Sequence, residues 1–150
     1  MRSMRFMLIV LALTTALVVP TASTASAAGC VHINRIFYNS PGPDDGSNKS
    51  LNGEWVILHN VCSKGRSLHG WTLRDKSGNT YDHFGRFHLG SGKHVTIHTG
   101  KGTNTSTDRY WGRVGYVWNN SADIGTLRNA NKVIQSRCSY FQPNKNYTLC

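Results

Sequence analysis

The 150-residue sequence predicts an all-β sandwich. Three observations carry that prediction. Short β-branched and aromatic runs recur between residues 31 and 140, clusters of Gly, Asn, Ser and Asp separate them, and no useful window shows helical periodicity. The runs follow one another at the spacing expected of two packed sheets.

Val31–Tyr38 is the first run. Asn39–Gly53 follows and is read as irregular throughout, because Pro41 and Pro43 cannot sit inside a regular element. Glu54–Asn60 then alternates, with Val56 and Leu58 on one face and Trp55, Ile57 and His59 on the other. Ser67–Arg74 and Thr80–Phe84 flank Asp75-Lys76-Ser77-Gly78-Asn79, a hairpin signal whose glycine supplies positive φ. Leu89-Gly90-Ser91-Gly92-Lys93 turns the chain into Lys93–His98, where Val95 and Ile97 point inward and His94, Thr96 and His98 outward. Tyr110–Trp118, Ile124–Arg128 and Lys132–Tyr140 complete the set.

Residues 1–28 read as an export signal. Arg2 and Arg5 precede the apolar run Phe6–Val19, and Ala25-Ser26-Ala27-Ala28 supplies small residues for cleavage. The run falls short of the roughly 20 residues that span a bilayer, so no stable membrane span is expected. The arginines are not adjacent, which favours the general secretory route. One secreted domain, residues 29–150, is the expectation. Ala27-Ala28-Gly29 before Cys30 resembles a lipidation signal, but Ala27 stands where a larger aliphatic residue is wanted, and Cys30 has a competing use in a disulfide.

In an oxidising compartment the four cysteines, Cys30, Cys62, Cys138 and Cys150, read as two disulfides. Cys138 and Cys150 flank the C-terminal tail and are paired, which leaves Cys30 with Cys62. Chain entropy alone gives the two loops about 3 and about 4 kcal/mol. No C-x-x-C unit is present, which disfavours redox chemistry or a zinc knuckle. Without Arg2 and Arg5 the chain keeps 15 basic residues against 7 acids, a net charge of +8. Such a surface attracts polyanions: nucleic acid, wall polymers of the teichoic-acid type, acidic lipid or acidic polysaccharide.

Four patterns recur in one order: Asn52-Gly53-Glu54-Trp55-Val56-Ile57-Leu58-His59-Asn60; Gly70-Trp71-Thr72-Leu73-Arg74-Asp75; the segment from Leu89 to Gly102; and Trp118-Asn119-Asn120-Ser121-Ala122-Asp123-Ile124-Gly125-Thr126-Leu127. Together they resemble the lamin-tail domain (LTD), which is common in secreted bacterial proteins, over roughly Val31 to Tyr140. The resemblance implies an immunoglobulin-like β-sandwich and a binding or surface-associated role. Nothing here resembles the coiled-coil rod of lamins, so filament assembly does not carry over. Read as residues, Trp55, Trp71 and Trp118 are assigned to the core or its margin, and Asp75 and Asp123 to accepting turn N–H groups.

Catalysis and metal binding find little support. His94-Val95-Thr96 fits an H-x-T element, but His98 lies about 13 Å further along the same strand face, and no second such element exists. An HNH core, a D…E-x-K core and a G-x-S-x-G elbow are all missing. No catalytic residue, metal or cofactor is therefore assigned. Asp44–Glu54 offers oxygen ligands, but not at the spacing of an EF-hand loop. The sharper candidate is a polyanion site in which Lys93, His94, His98, Lys101, Arg109 and Arg113 surround Tyr110 and Trp111.

Three functions follow: a non-enzymatic surface-associated module of unknown partner, a binder of extracellular DNA or wall teichoic acid, and a small metal-dependent nuclease or phosphoesterase that loses turnover when His94 or His98 is replaced.

Overall fold

The computed structural model describes residues 29–150; the segment read from the sequence as an export signal, residues 1–28, lies outside the described residues. Eleven strands and one helical turn are present among these residues: β1 (Val31–Phe37), α1 (Asn48–Leu51), β2 (Trp55–Asn60), β3 (Arg66–Ser67), β4 (Thr72–Arg74), β5 (Thr80–Tyr81), β6 (His88–Leu89), β7 (His94–His98), β8 (Asp108–Tyr110), β9 (Ala122–Arg128), β10 (Ile134–Phe141) and β11 (Tyr147–Leu149). They build a five-stranded sheet ordered β11-β1-β2-β7-β8, a four-stranded sheet ordered β10-β9-β4-β5, and a short β3-β6 ribbon. All pairings are antiparallel except β7 with β8.

The two larger sheets close over one core. Val56, Leu58, Val95 and Ile97 from the larger sheet, and Leu73, Tyr81 and Leu127 from the smaller, are all buried, and each such side chain stabilises by about 1.5–3 kcal/mol. Strict alternation would put Ile33 and Ile36 on opposite faces. A register shift between Ile33 and Arg35 turns both inward, since one extra residue flips the side chains that follow. Opposite them, Gly125 lets the sheets approach. A Cβ at 125 would stand 2.8 Å from Ile36 Cδ1, 3.2 Å from Ile33 Cδ1 and 3.5 Å from Trp118 Cη2. Those neighbours are buried and have nowhere to go, so Gly125→Val is expected to cost about 2–3 kcal/mol, read as a lower urea midpoint at unchanged m.

Both disulfides form, Cys30–Cys62 and Cys138–Cys150, with Cα atoms 5.1 and 5.5 Å apart. The second ties the tail to β10 while the Cys150 N–H donates to the Asn34 carbonyl. That docks β11 against β1, a strand the sequence reading does not foresee.

Other differences have local causes. Within 39–53 the prolines restrict only the first residues. Ser47 then caps a single turn, its Oγ accepting from the Ser50 N–H at 3.1 Å. Ser67–Arg74 is two short strands, because Leu68 turns into the core and Gly70 takes φ +73 between them. Tyr110–Trp118 is not a strand. Asp108–Tyr110 pairs with β7, and the chain then leaves the sheet at Gly112, φ +77, to place Trp111, Val117 and Trp118 inside one end of the sandwich. The aromatic pattern read there as a strand is the pattern of a plug.

The tryptophans divide. Trp118 is 2% exposed, and Trp71 packs half-buried against the core. Trp55 departs from its core assignment: it lies on the outer face of β2, its ring 4.9 Å from that of Phe37. Asp75 and Asp123 are buried in turns. The Asp75 carboxylate accepts from the Asn79 backbone and side-chain amides, and that of Asp123 accepts from the backbone N–H groups of Lys76, Asn119 and Ile124.

Candidate functional site

The predicted polyanion cluster does not assemble. His94, His98 and Tyr110 share the outer face of the larger sheet, beside Lys93. Arg109 and Trp111 face the other way. The Arg109 guanidinium lies 4.1 Å over the Phe87 ring, and Trp111, 7% exposed, packs edge-on against Tyr81 and Trp118. Residue 109 opposes Ile97, so the alternation that brings Tyr110 outward sends Arg109 inward. Lys101 sits in a loop whose carbonyl accepts from the Asn48 and Asn52 side-chain amides, and Arg113 donates to Asn79 Oδ1 at 2.8 Å.

On that outer face two rows of rings cross the strands. Register sets Tyr147, Phe37, Trp55, His98 and Tyr110 side by side. Phe37 is 6.0 Å from Tyr147 and 4.9 Å from Trp55, His98 is 4.9 Å from Tyr110, and these planes lie within 21° of parallel. Where they stack, these rings cover part of one another's faces. Gly102 covers the last face, since a Cβ there would overlap the Tyr110 ring. The row consolidates the sheet. In the second row His59 lies between His32 and His94, at 5.4 and 3.9 Å. Desolvation first, and then the nearby His59, hold the imidazoles of His32 and His94 below their ordinary range.

His98 has both ring nitrogens engaged within the chain. Nε2 lies 3.0 Å from Asp108 Oδ1 and Nδ1 lies 3.3 Å from the Asn52 carbonyl. Hydrogen bonds from Thr107 and then from His98 hold the Asp108 carboxyl below its usual range. The pair ties β8 to β7, and both ring nitrogens point at oxygens of the chain itself. Among the described residues no group of three or more His, Cys, Asp or Glu side chains is placed to hold a metal. The oxygens of Asp44–Glu54 also diverge: Asp44 accepts from Asn120, Asp45 from the Ser47 N–H, and Glu54 turns into the core.

A concentration of cations lies on the opposite surface, the outer face of the smaller sheet. Arg74 of β4 opposes Thr126 of β9, which opposes Arg137 of β10, and Arg128 is one outward position along β9. These three arginines and Lys76 line one shallow hollow with Thr126 and Ile124. None of the four has a carboxylate within ion-pair distance among the described residues. Asp75 also lines this hollow and Asp123 the adjoining one, but both side chains are buried in their turns. Sequence reasoning passes over this face because its cations are scattered from 74 to 137. Each stands beside an inward neighbour (Leu73, Leu127 or Cys138) and only strand register brings them together.

Two disulfide-linked sheets over a single core, with cations displayed on one open face, define an immunoglobulin-like β-sandwich module. The chain belongs to the Lamin Tail Domain (LTD) family, whose model matches residues 24–142. Such domains are not typically enzymatic. No curated protein matches the chain in sequence.

Proposed function

We propose that the protein is exported and works as a binding module that takes up an extracellular polyanion, DNA or a wall polymer such as teichoic acid, on the outer face of the smaller sheet. One observation carries this reading: Arg74, Lys76, Arg128 and Arg137 share a face that displays no carboxylate partner for them. Arginine suits the task, since its planar fork meets phosphate oxygens in pairs. Two disulfides fit the oxidising space outside the cell.

The test is salt dependence. Four cations each neutralising one phosphate of duplex DNA give a log–log slope of affinity on salt of about −3.6, and removing two of them about −1.8. Arg74→Ala with Arg137→Ala is therefore expected to halve the slope and weaken binding at least tenfold at low salt, with no change in thermal midpoint. Lys93→Ala with Lys101→Ala, in the cluster that does not assemble, is expected to change the slope little. A flat salt response in the unmodified protein, or an unchanged slope in the arginine variant, overturns the reading.

A further inference from the structure

Beyond the arginines the same face ends in an aromatic side chain that the fold does not use. Phe141, the last residue of β10, opposes Ala122 and is 81% exposed. It lines a second hollow with Lys76, Ile124 and Ser139, and this hollow shares Lys76 and Ile124 with the one lined by the arginines. The two hollows therefore form one track, with a bare ring at one end, a lysine in the middle and three arginines at the other. Phe141 and Arg137 lie on the same strand face four residues apart, about 13 Å. Unlike the rings of the larger sheet, Phe141 has no aromatic partner among the described residues and keeps its face open.

Polyanions differ in what they gain from such a track. Teichoic acid, polyphosphate and sulfated sugars meet the cations but carry no planar ring to lay on Phe141. Duplex DNA has bases, but they are already stacked inside the helix. A single strand offers both parts, phosphates for the cations and unstacked bases for the ring. An acidic bilayer would also meet cations and an apolar side chain, but a planar surface does not fill hollows on either side of Lys76.

We infer that this face takes single-stranded nucleic acid, one base stacking on Phe141 against Ile124 while the flanking phosphates meet Lys76 and Arg74. The inference rests on the polyanion reading of the same face and names the polymer it selects.

Three probes distinguish the outcomes: oligothymidylate, inorganic polyphosphate, and phosphatidylserine–phosphatidylcholine vesicles, each titrated against the oxidised protein and three variants. Phe141→Ala is expected to weaken oligothymidylate binding about tenfold and to leave polyphosphate binding unchanged, while Phe141→Trp retains or improves the former. The site is exposed, so the variants are expected to keep the parent's thermal midpoint. Equal loss for both polymers, or no loss for oligothymidylate, overturns base stacking while leaving the polyanion reading in place. A loss confined to the vesicles overturns it in favour of a membrane surface. If Arg74→Ala with Arg137→Ala alters neither polymer, the polyanion reading itself fails.

Discussion

Glu54→Gln is expected to remove a pH dependence of stability worth about 3 kcal/mol between pH 4.5 and pH 8. The Glu54 side chain is fully buried, and its Oε2 accepts from the Val117 N–H at 3.0 Å, fastening the loop that carries Trp118. Oε1 has no partner in the described structure, and neither has the buried Thr99 hydroxyl beside it. Desolvation outweighs the stabilising hydrogen bonding from Val117 and its neighbours and pushes the carboxyl from 4.5 to about 7. The folded protein therefore holds a proton that the unfolded chain has released above pH 4.5. Stability from this group is complete below 4.5, declines as pH rises, and is gone once pH passes the folded value near 7. Gln copies the protonated form: its carbonyl accepts from Val117, and its amide has Thr99 Oγ1 within its surroundings.

His32 and His94 work in the opposite sense. Their depressed values stabilise the fold above the ordinary imidazole range, a contribution lost as pH falls through those values. The observable is thus the difference between parent and variant, in which the histidines cancel. Urea midpoints at several pH values from 4.5 to 8 give that difference. Parallel curves for the two proteins would show that Glu54 does not titrate in this range. Glu54→Ala, which also loses the bond to Val117, is expected to destabilise at every pH.

The contrast between what was and was not legible in the sequence turns on how far a residue's environment depends on its strand partner. Strands with one buried face announce themselves by alternation, and β2 and β7 stand where Val56, Leu58, Val95 and Ile97 put them. Both disulfides and the turn carboxylates are legible because they obey local rules. Arg109 and Trp111 mislead because cations and aromatics close in sequence look like a surface cluster, although successive strand residues face opposite ways and the chain leaves the sheet at Gly112. Trp55 misleads in the other direction: its bulk suggests core, but it sits at an outward position and finds cover from Phe37 across the strand. Arg74, Arg128 and Arg137 were invisible for the complementary reason. No local pattern links residues separated by dozens of positions, and their common face exists only through the β4-β9-β10 register.

Asn60 sets the second large expectation, since one buried amide organises three stretches of chain. Its side chain is fully buried at the end of β2. Nδ2 donates toward the carbonyls of Leu89 at 2.8 Å and of Lys64 and Gly90 at 3.1 Å, while Oδ1 accepts from the Cys62 N–H at 3.0 Å. The loop that positions Cys62 for its disulfide and the turn that leads into β7 are both held by this group. Asn60→Ala strands a buried N–H and several carbonyls at once, and each such group costs about 1–3 kcal/mol. A total loss of about 3–4 kcal/mol is expected, a large fraction of the 5–15 kcal/mol typical of a domain. Asn60→Asp is nearly isosteric and keeps an acceptor for Cys62, yet it turns an oxygen toward three carbonyl oxygens. It is expected to destabilise at least as much as alanine at neutral pH and less at pH 4, where a protonated carboxyl can donate to one of them. Chemical denaturation at both pH values decides the matter: an aspartate variant as stable as the parent at neutral pH would mean that this amide does not hold the loops together.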